Sequence, residues 1–212
     1  MKQTIILTIL LTGIIAPLAP AAPQPSIVPG QSDWTLNTVF TQPQQITLRI
    51  PGYRAPQRFW YIILTLTNTS DMDAPFYPKC DLMTDTFKVI PAWRDTKNMV
   101  FDKIKKRHKK KFPFLESLES AEPRILQGTD QTRDMVIIWP DFDPKARNIS
   151  LFLAGLSNET VSIDHPTATD EDGNALKIYL RKTLELKYAI GGDAKLRKRA
   201  SLVFKAKRWV MR

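Results

Sequence analysis

Nine consecutive residues, Phe59 to Thr67, constrain this chain more than any other stretch. They are aromatic, β-branched or leucine throughout, the side chains that suit a pleated, packed surface. Trp60, Ile62, Leu64 and Leu66 fall on one face; Phe59, Tyr61, Ile63, Thr65 and Thr67 fall on the other. The first face is wholly apolar. The second is apolar only in its first half, then turns to threonine. This predicts a central strand about 30 Å long, at about 3.3 Å per residue. Its first face should meet a second sheet, and its other face should be partly covered. A buried helix is the competing reading, and threonine at alternate places argues against it. Asn68-Thr-Ser-Asp71 ends the strand with turn-forming side chains.

The same alternation recurs along the chain. Trp34 to Phe40, Gln45 to Ile50, Pro75 to Leu82, Thr86 to Ile90, Met135 to Trp139 and Ile149 to Ala154 all read as strands. Val161 and Ile163 mark a short one. Asp170-Glu-Asp-Gly-Asn174 is a hairpin turn. Ala175 to Ile190 is one long strand or two joined by a bulge. Ser201 to Met211 is the last strand, with Leu202, Phe204 and Ala206 on one face and Lys205 and Lys207 on the other. Residues 97–122 break the pattern. Val100, Ile104, His108 and Phe112 recur at helical spacing as a narrow apolar stripe, and Pro113 stops that helix. A second helical turn is expected over Phe114 to Glu119, with Phe114, Leu115 and Leu118 facing inward. The predicted fold is mainly β, a two-sheet sandwich of immunoglobulin-like type with a short basic helical insertion.

The chain opens with Lys2, an apolar run from Ile5 to Ala16, and Ala19-Pro-Ala21. That is the pattern of a secretory signal peptide over residues 1–21. A retained anchor is the alternative, but the run is short of the roughly 20 residues a span needs. No later stretch could cross a bilayer. Residues 22–33 are rich in Pro, Ala, Gln and Ser and read as a flexible spacer, leaving residues 34–212 as one domain. The reading is an exported protein, periplasmic or extracellular. Its single cysteine, Cys80, allows no internal disulfide and is read as a buried thiol.

Three sets of residues extend the likeness beyond fold class. They are the segment from Tyr61 through Asn68-Thr-Ser-Asp71 to Pro75-Phe-Tyr77, the pair Gly155-Leu-Ser-Asn158 and Arg181-Lys-Thr-Leu-Glu-Leu186, and the terminal Lys207-Arg-Trp-Val-Met-Arg212. The first resembles the B–C hairpin region of bacterial immunoglobulin-like sandwiches. Together they resemble uncharacterised exported proteins of planctomycete-type bacteria, from about Trp34 to the end. The resemblance implies fold and compartment, and carries no activity.

The charge is unevenly placed. The formal net charge is +10, and removing Lys2 with the first 21 residues leaves +9. Residues 97–112 hold eight basic residues and Asp102, a balance of +7; residues 195–212 hold eight basic residues and no acid, +8. The remainder of the chain after residue 21 therefore sums to −6. Like charges crowded on one helix repel by a few tenths of a kcal/mol per i,i+4 pair, about 0.2–0.5. An acidic patch of the same protein or an external polyanion would offset this; the third reading is a solvated face. The candidate anion-binding residues are Lys103, Lys105, Lys106, Arg107, Lys109, Lys110, Lys111, Lys205, Lys207 and Arg208. The expected partner is an anionic envelope polymer or another envelope protein. Nucleic acid is not expected, because the basic helix lacks interleaved aromatics for base stacking.

Catalytic chemistry finds little support. His108 and His165 are far apart and near no nucleophile motif, and two histidines with one cysteine make no zinc pattern. Asp170 to Asn174 offers alternating oxygens, but its glycine and twelfth position do not match a calcium loop. No cofactor or metal is expected. The preferred function is a non-catalytic interaction or structural module. The alternative is a carbohydrate-binding or carbohydrate-cleaving domain using Trp93, Asp141 and Asp143.

Overall fold

The computed structural model describes residues 26–27, 33–93, 98–192 and 200–212. The signal-peptide assignment, most of the spacer, and Lys195, Arg197, Lys198 and Arg199 lie outside these residues. The described elements run β1 (Ser26–Ile27), β2 (Asn37–Phe40), β3 (Gln44–Leu48), β4 (Gln57–Asn68), β5 (Ala74–Pro75), β6 (Lys79–Thr84) and β7 (Val89–Pro91). The single α-helix among them, α1 (Asn98–His108), follows, then β8 (Glu116–Ser117), β9 (Arg124–Ile125), β10 (Gly128–Pro140), β11 (Asn148–Ala154), β12 (Thr160–Thr169), β13 (Ala175–Ile190) and β14 (Leu202–Met211).

The strands form two main sheets. One has the order β2-β4-β10-β8, with β3 also on β4; the other has the order β1-β12-β13-β11-β6-β7, with β14 on β13. They face each other across one apolar core, the arrangement of a β-sandwich. As the sequence implies, β4 is the element the rest is built around. Its Trp60, Ile62 and Leu64 stand opposite Trp139, Ile137 and Met135 of β10. This row packs against Cys80 and Leu82 of β6, Leu151 and Leu153 of β11, and Leu184, Leu186 and Tyr188 of β13. The other face of β4 is also closed. Phe59, Tyr61 and Ile63 join Val136 and Ile138 of β10, Ile46 of β3, and Val100 and Ile104 of α1 in a second core. The helix therefore lies over the outer face of the β4 sheet, where the alternation is apolar. It does not extend over the half where Thr65 and Thr67 face water.

The strand stops where Asn68 takes over the hydrogen bonding. Its amide donates to the carbonyls of Met72 (2.8 Å) and Ile125 (3.0 Å), and its oxygen accepts from Ser70 N (3.1 Å) and Ser70 Oγ (2.6 Å). Asn68 is only 1% exposed, so a polar group this deep needs such partners.

Several expectations require correction. The second helical turn does not form. Leu115 enters the second core, but Phe114 is 82% exposed, because Glu116 and Ser117 extend as β8 in parallel with Met135 and Val136. The helical part of 97–122 is thus α1 and a 3-10 turn at Leu118–Ser120, capped by Ser117 Oγ accepting from Ser120 N at 3.1 Å. Pro75 to Leu82 is two strands, interrupted before Lys79, and the strand expected from Thr86 begins only at Val89. Within the spacer, Ser26 and Ile27 pair with Ser162 and Val161. Lastly, β14 slips register. Tyr188 stands opposite Phe204 but Lys187 opposite Ala206, so Lys205 is the extra residue of a bulge. Beyond it every side chain changes face. Lys207, opposite Leu186, joins the sandwich-facing side with Leu202 and Phe204, and Ala206 turns outward.

Candidate anion-binding surface

The eleven-residue α1 is anchored by two fully buried residues, Val100 and Ile104, one turn apart. Its last turn is fixed by a polar contact. The Tyr61 hydroxyl lies 2.9 Å from Gln44 Oε1, 2.9 Å from His108 Nε2 and 3.2 Å from Arg107 Nη1. A hydroxyl has one proton and two lone pairs. It therefore donates to Gln44 and accepts from Arg107 and from a proton on His108 Nε2. Burial, with the charges of Arg107 and Lys111, pushes the His108 pKa down, so the imidazole is neutral at pH 7. Burial raises the Tyr61 pKa against the opposing pull of Arg107. Past His108 the chain turns, with Lys111 N and Phe112 N both donating to the His108 carbonyl at 2.9 Å, and Phe112 returns to the second core.

Lys103, Lys105, Lys106, Lys109, Lys110 and Lys111 are all exposed. Among the described residues none of them pairs with a carboxylate. Lys105 and Lys111 lie over the rings of Phe101 and Phe112, at 5.6 and 5.2 Å. Seven of the domain's carboxylates are engaged by other cations. Asp141 pairs with Arg58 (3.3 Å), Asp143 with Lys88 (3.4 Å) and Asp73 with Arg124 (3.5 Å); Glu116 pairs with Arg133, Asp164 with Lys177, Glu159 with Lys182, and Glu185 with Arg208.

The other candidates divide. Arg107 tethers the helix, donating also to the Gln45 carbonyl at 3.3 Å. Lys207, turned inward by the bulge, lies 5.6 Å over the Phe40 ring and donates to Thr38 O at 3.4 Å. Arg208 holds Glu185. Lys205, the bulge residue, is exposed beside a cleft of about 380 Å³ that Lys187 also lines. The two basic segments meet at one edge of the sandwich, because the Gln45 side chain donates to Ala200 O at 2.5 Å, just before β14, while its backbone carbonyl receives Arg107.

The residues of the carbohydrate alternative are not brought together. Asp141 accepts from Trp60 Nε1 at 2.9 Å. Asp143 accepts from Lys145 N (2.9 Å) and Thr86 Oγ1 (3.0 Å), and these bonds, with Lys88, hold its carboxyl below the usual range. Trp93 packs on Phe101 at 6.4 Å and borders a cleft of about 200 Å³ lined also by Lys79 and Glu119, which neither aspartate reaches. His165 Nδ1 accepts from Ala168 N at 2.8 Å, and Asp170 Oδ1 from Asn174 N at 2.8 Å, so both serve their own turns. Among the described residues no group of three His, Cys, Asp or Glu could hold a metal ion, and no helix is long and apolar enough to cross a membrane. Sequence reasoning missed Tyr61 as the anchor of α1, since an inward tyrosine on a strand carries no sign of its hydroxyl's partners.

No protein-family model matches the chain, and neither the curated proteins nor the solved structures contain a match.

Proposed function

We propose that this protein is an exported, non-catalytic module that binds an anionic polymer of the cell envelope through α1 and the turn after it. The observation that carries the reading is the set of six exposed lysines, without a carboxylate partner among the described residues, on α1 and the turn after it, a segment held at Val100, Ile104 and Tyr61, while seven carboxylates elsewhere are paired. Two observations support the immunoglobulin-like type. The order β2-β4-β10 matches strands A, B and E of that fold, and β6-β11-β13 matches C, F and G. The leader-like residues 1–21 support export.

The test is salt-dependent retention on a heparin column and binding to lipopolysaccharide. Lys105, Lys106, Lys109 and Lys110 changed together to Gln should elute at clearly lower salt. If all four meet the polymer, the log–log salt slope should fall by about 3, taking about 0.7–0.9 per contact as for nucleic-acid polyelectrolytes. The control removes four exposed charges elsewhere, at Arg49, Arg54, Lys145 and Arg147. Equal shifts in the two variants would reduce the effect to net charge and overturn the reading.

A further inference from the structure

Two clefts at the far end of β14 share a wall. One, of about 440 Å³, is lined by Trp34, Tyr77, Asn158, Thr160, Arg181 and their neighbours. The other, of about 270 Å³, lies on the outer face of the β13 sheet and is lined by Tyr77, Lys79, Asp81, Phe152, Arg181 and Arg212 among others. Tyr77, Gly155 and Arg181 belong to both. Each is near the lower end of the size range of ligand cavities, about 300–1,000 Å³. The helix surface meets β14 at its other end, so the two regions are about 30 Å apart along the strand.

The groove is built from specific contacts. Gly155 has φ +84, and a Cβ there would lie 2.8 Å from Tyr77 O and 2.9 Å from Pro78 Cα. Only glycine lets the link between β11 and β12 pass so close beneath Tyr77. Tyr77 itself projects, 73% exposed, beside the buried Phe76. Arg181 and Arg212 face each other across a closed pair of backbone bonds, Arg181 N to Arg212 O at 2.9 Å and Arg212 N to Arg181 O at 3.1 Å. Cross-strand partners point to the same side of the sheet, and like charges placed so are unfavourable. Among the described residues neither guanidinium has a carboxylate partner. Arg212 lies over the Phe152 ring, its Cζ 4.1 Å from the ring centroid. Lys79 adds a third cation, and Asp81 is the one carboxylate side chain in the lining.

We propose that the two clefts form one groove that binds an acidic saccharide. The forks of Arg181 and Arg212 take the carboxylate of one sugar unit, and the neighbouring ring lays its apolar face on Tyr77. Paired guanidinium forks match a carboxylate's geometry, and an exposed aromatic ring offers a flat apolar platform. Thr160 donates its hydroxyl proton to Asn158 O at 3.1 Å and keeps lone pairs for a sugar hydroxyl.

The experiment is calorimetry on the whole protein with oligogalacturonate, its methyl ester and inorganic phosphate. Oligogalacturonate should bind, and the ester, which keeps the rings but loses the charge, should bind at least about tenfold more weakly, the loss of one charge-assisted pair. Arg181→Gln and Tyr77→Ala should each lower affinity about tenfold or more. Both side chains lie outside the core, and thermal melting will show that the variants are folded. The four-lysine helix variant should bind oligogalacturonate as before, which separates this groove from the helix surface. No binding at millimolar oligogalacturonate, equal binding of the ester, an unchanged Arg181→Gln or Tyr77→Ala variant, or phosphate competing as well as the saccharide would each overturn the proposal. So would loss of binding in the helix variant alone.

Discussion

Changing Ile104 to Ala tests whether α1 is a docked part of this domain. Ile104 is 0% exposed, and with Val100 it is one of only two buried residues on the helix itself. The substitution removes three buried carbons. At about 0.8 kcal/mol each, transfer alone contributes about 2.4 kcal/mol. A cavity term brings the usual total for a buried Ile→Ala change to about 2–5 kcal/mol. An isolated eleven-residue helix is marginal in water, and this one carries repelling lysines as well. Losing half its anchor should therefore release the helix before the sheets unfold. Hydrogen exchange should show the amides of 102–108 opening at least tenfold more often relative to wild type, while those of β4 and β10 that bond within the sheet change less. A dye for exposed apolar surface should report Phe59, Ile63 and Ile138 becoming accessible. A stability loss below about 1 kcal/mol, or uniform acceleration across the helix and both sheets, would refute the claim that these two side chains hold the helix down.

Two further predictions concern the second sheet. Glu185 is buried, and desolvation raises its pKa, but the bonds from Arg208 and Ser150 and the charge of Lys187 outweigh this and leave the carboxyl below its ordinary range. Its folded pKa is depressed, so its contribution is present above the unfolded pKa and lost as pH falls through the folded one. Glu185→Gln should thus cost about 1–3 kcal/mol in urea unfolding at pH 7 and little at pH values below the folded pKa; an equal loss at both would show that the charge is not what matters. Gly155→Ala should cost about 1–3 kcal/mol, from its positive φ and the contact with the Tyr77–Pro78 backbone, and should also weaken oligogalacturonate binding. A loss under 0.5 kcal/mol, about the level of an ordinary surface change, would contradict the close approach.

How much of this was legible depended on whether a residue's partners are near it in sequence or only in space. The two faces of β4 were readable because alternation fixes facing, and the shift to threonine marks where the helix cover ends. The anchor residues of α1 were readable at i and i+4. Leu115 and Leu118 do face inward, but the turn over Phe114 to Glu119 was misread, with Phe114 placed inside, because the i, i+3 spacing of the two leucines does not tell one helical turn from an extended pair followed by a 3-10 turn. The face change in β14 was invisible because Phe204-Lys-Ala-Lys207 alternates apolar and basic residues as an unbulged strand would, so the extra residue at Lys205 leaves no sign in the sequence. β12 looked shorter than its ten residues because its outer part is exposed on both faces and carries no apolar period. The groove was illegible for a related reason: Tyr77, Phe152, Arg181 and Arg212 come from four segments, and only the β13–β14 register sets the two arginines opposite each other.

That register gives β14 a different use at each of its ends. At its start, the Ala200 carbonyl receives the side chain of Gln45, whose own carbonyl receives Arg107, so the edge beside the helix is tied to it through one glutamine, without a carboxylate. In its middle, the bulge turns Lys207 onto Phe40 and leaves Arg208 facing Glu185, so those two charges are satisfied within the fold. After its end, Arg212 is set opposite Arg181 with no acid between them. A strand whose basic residues only kept an open edge soluble would need no such division. Pairing or burying the middle cations, while like charges stay adjacent at one end and unpaired lysines flank the other, separates cations that hold the sandwich together from cations left for something outside it. It is on that division, and not on the net charge of +10, that the two binding proposals rest.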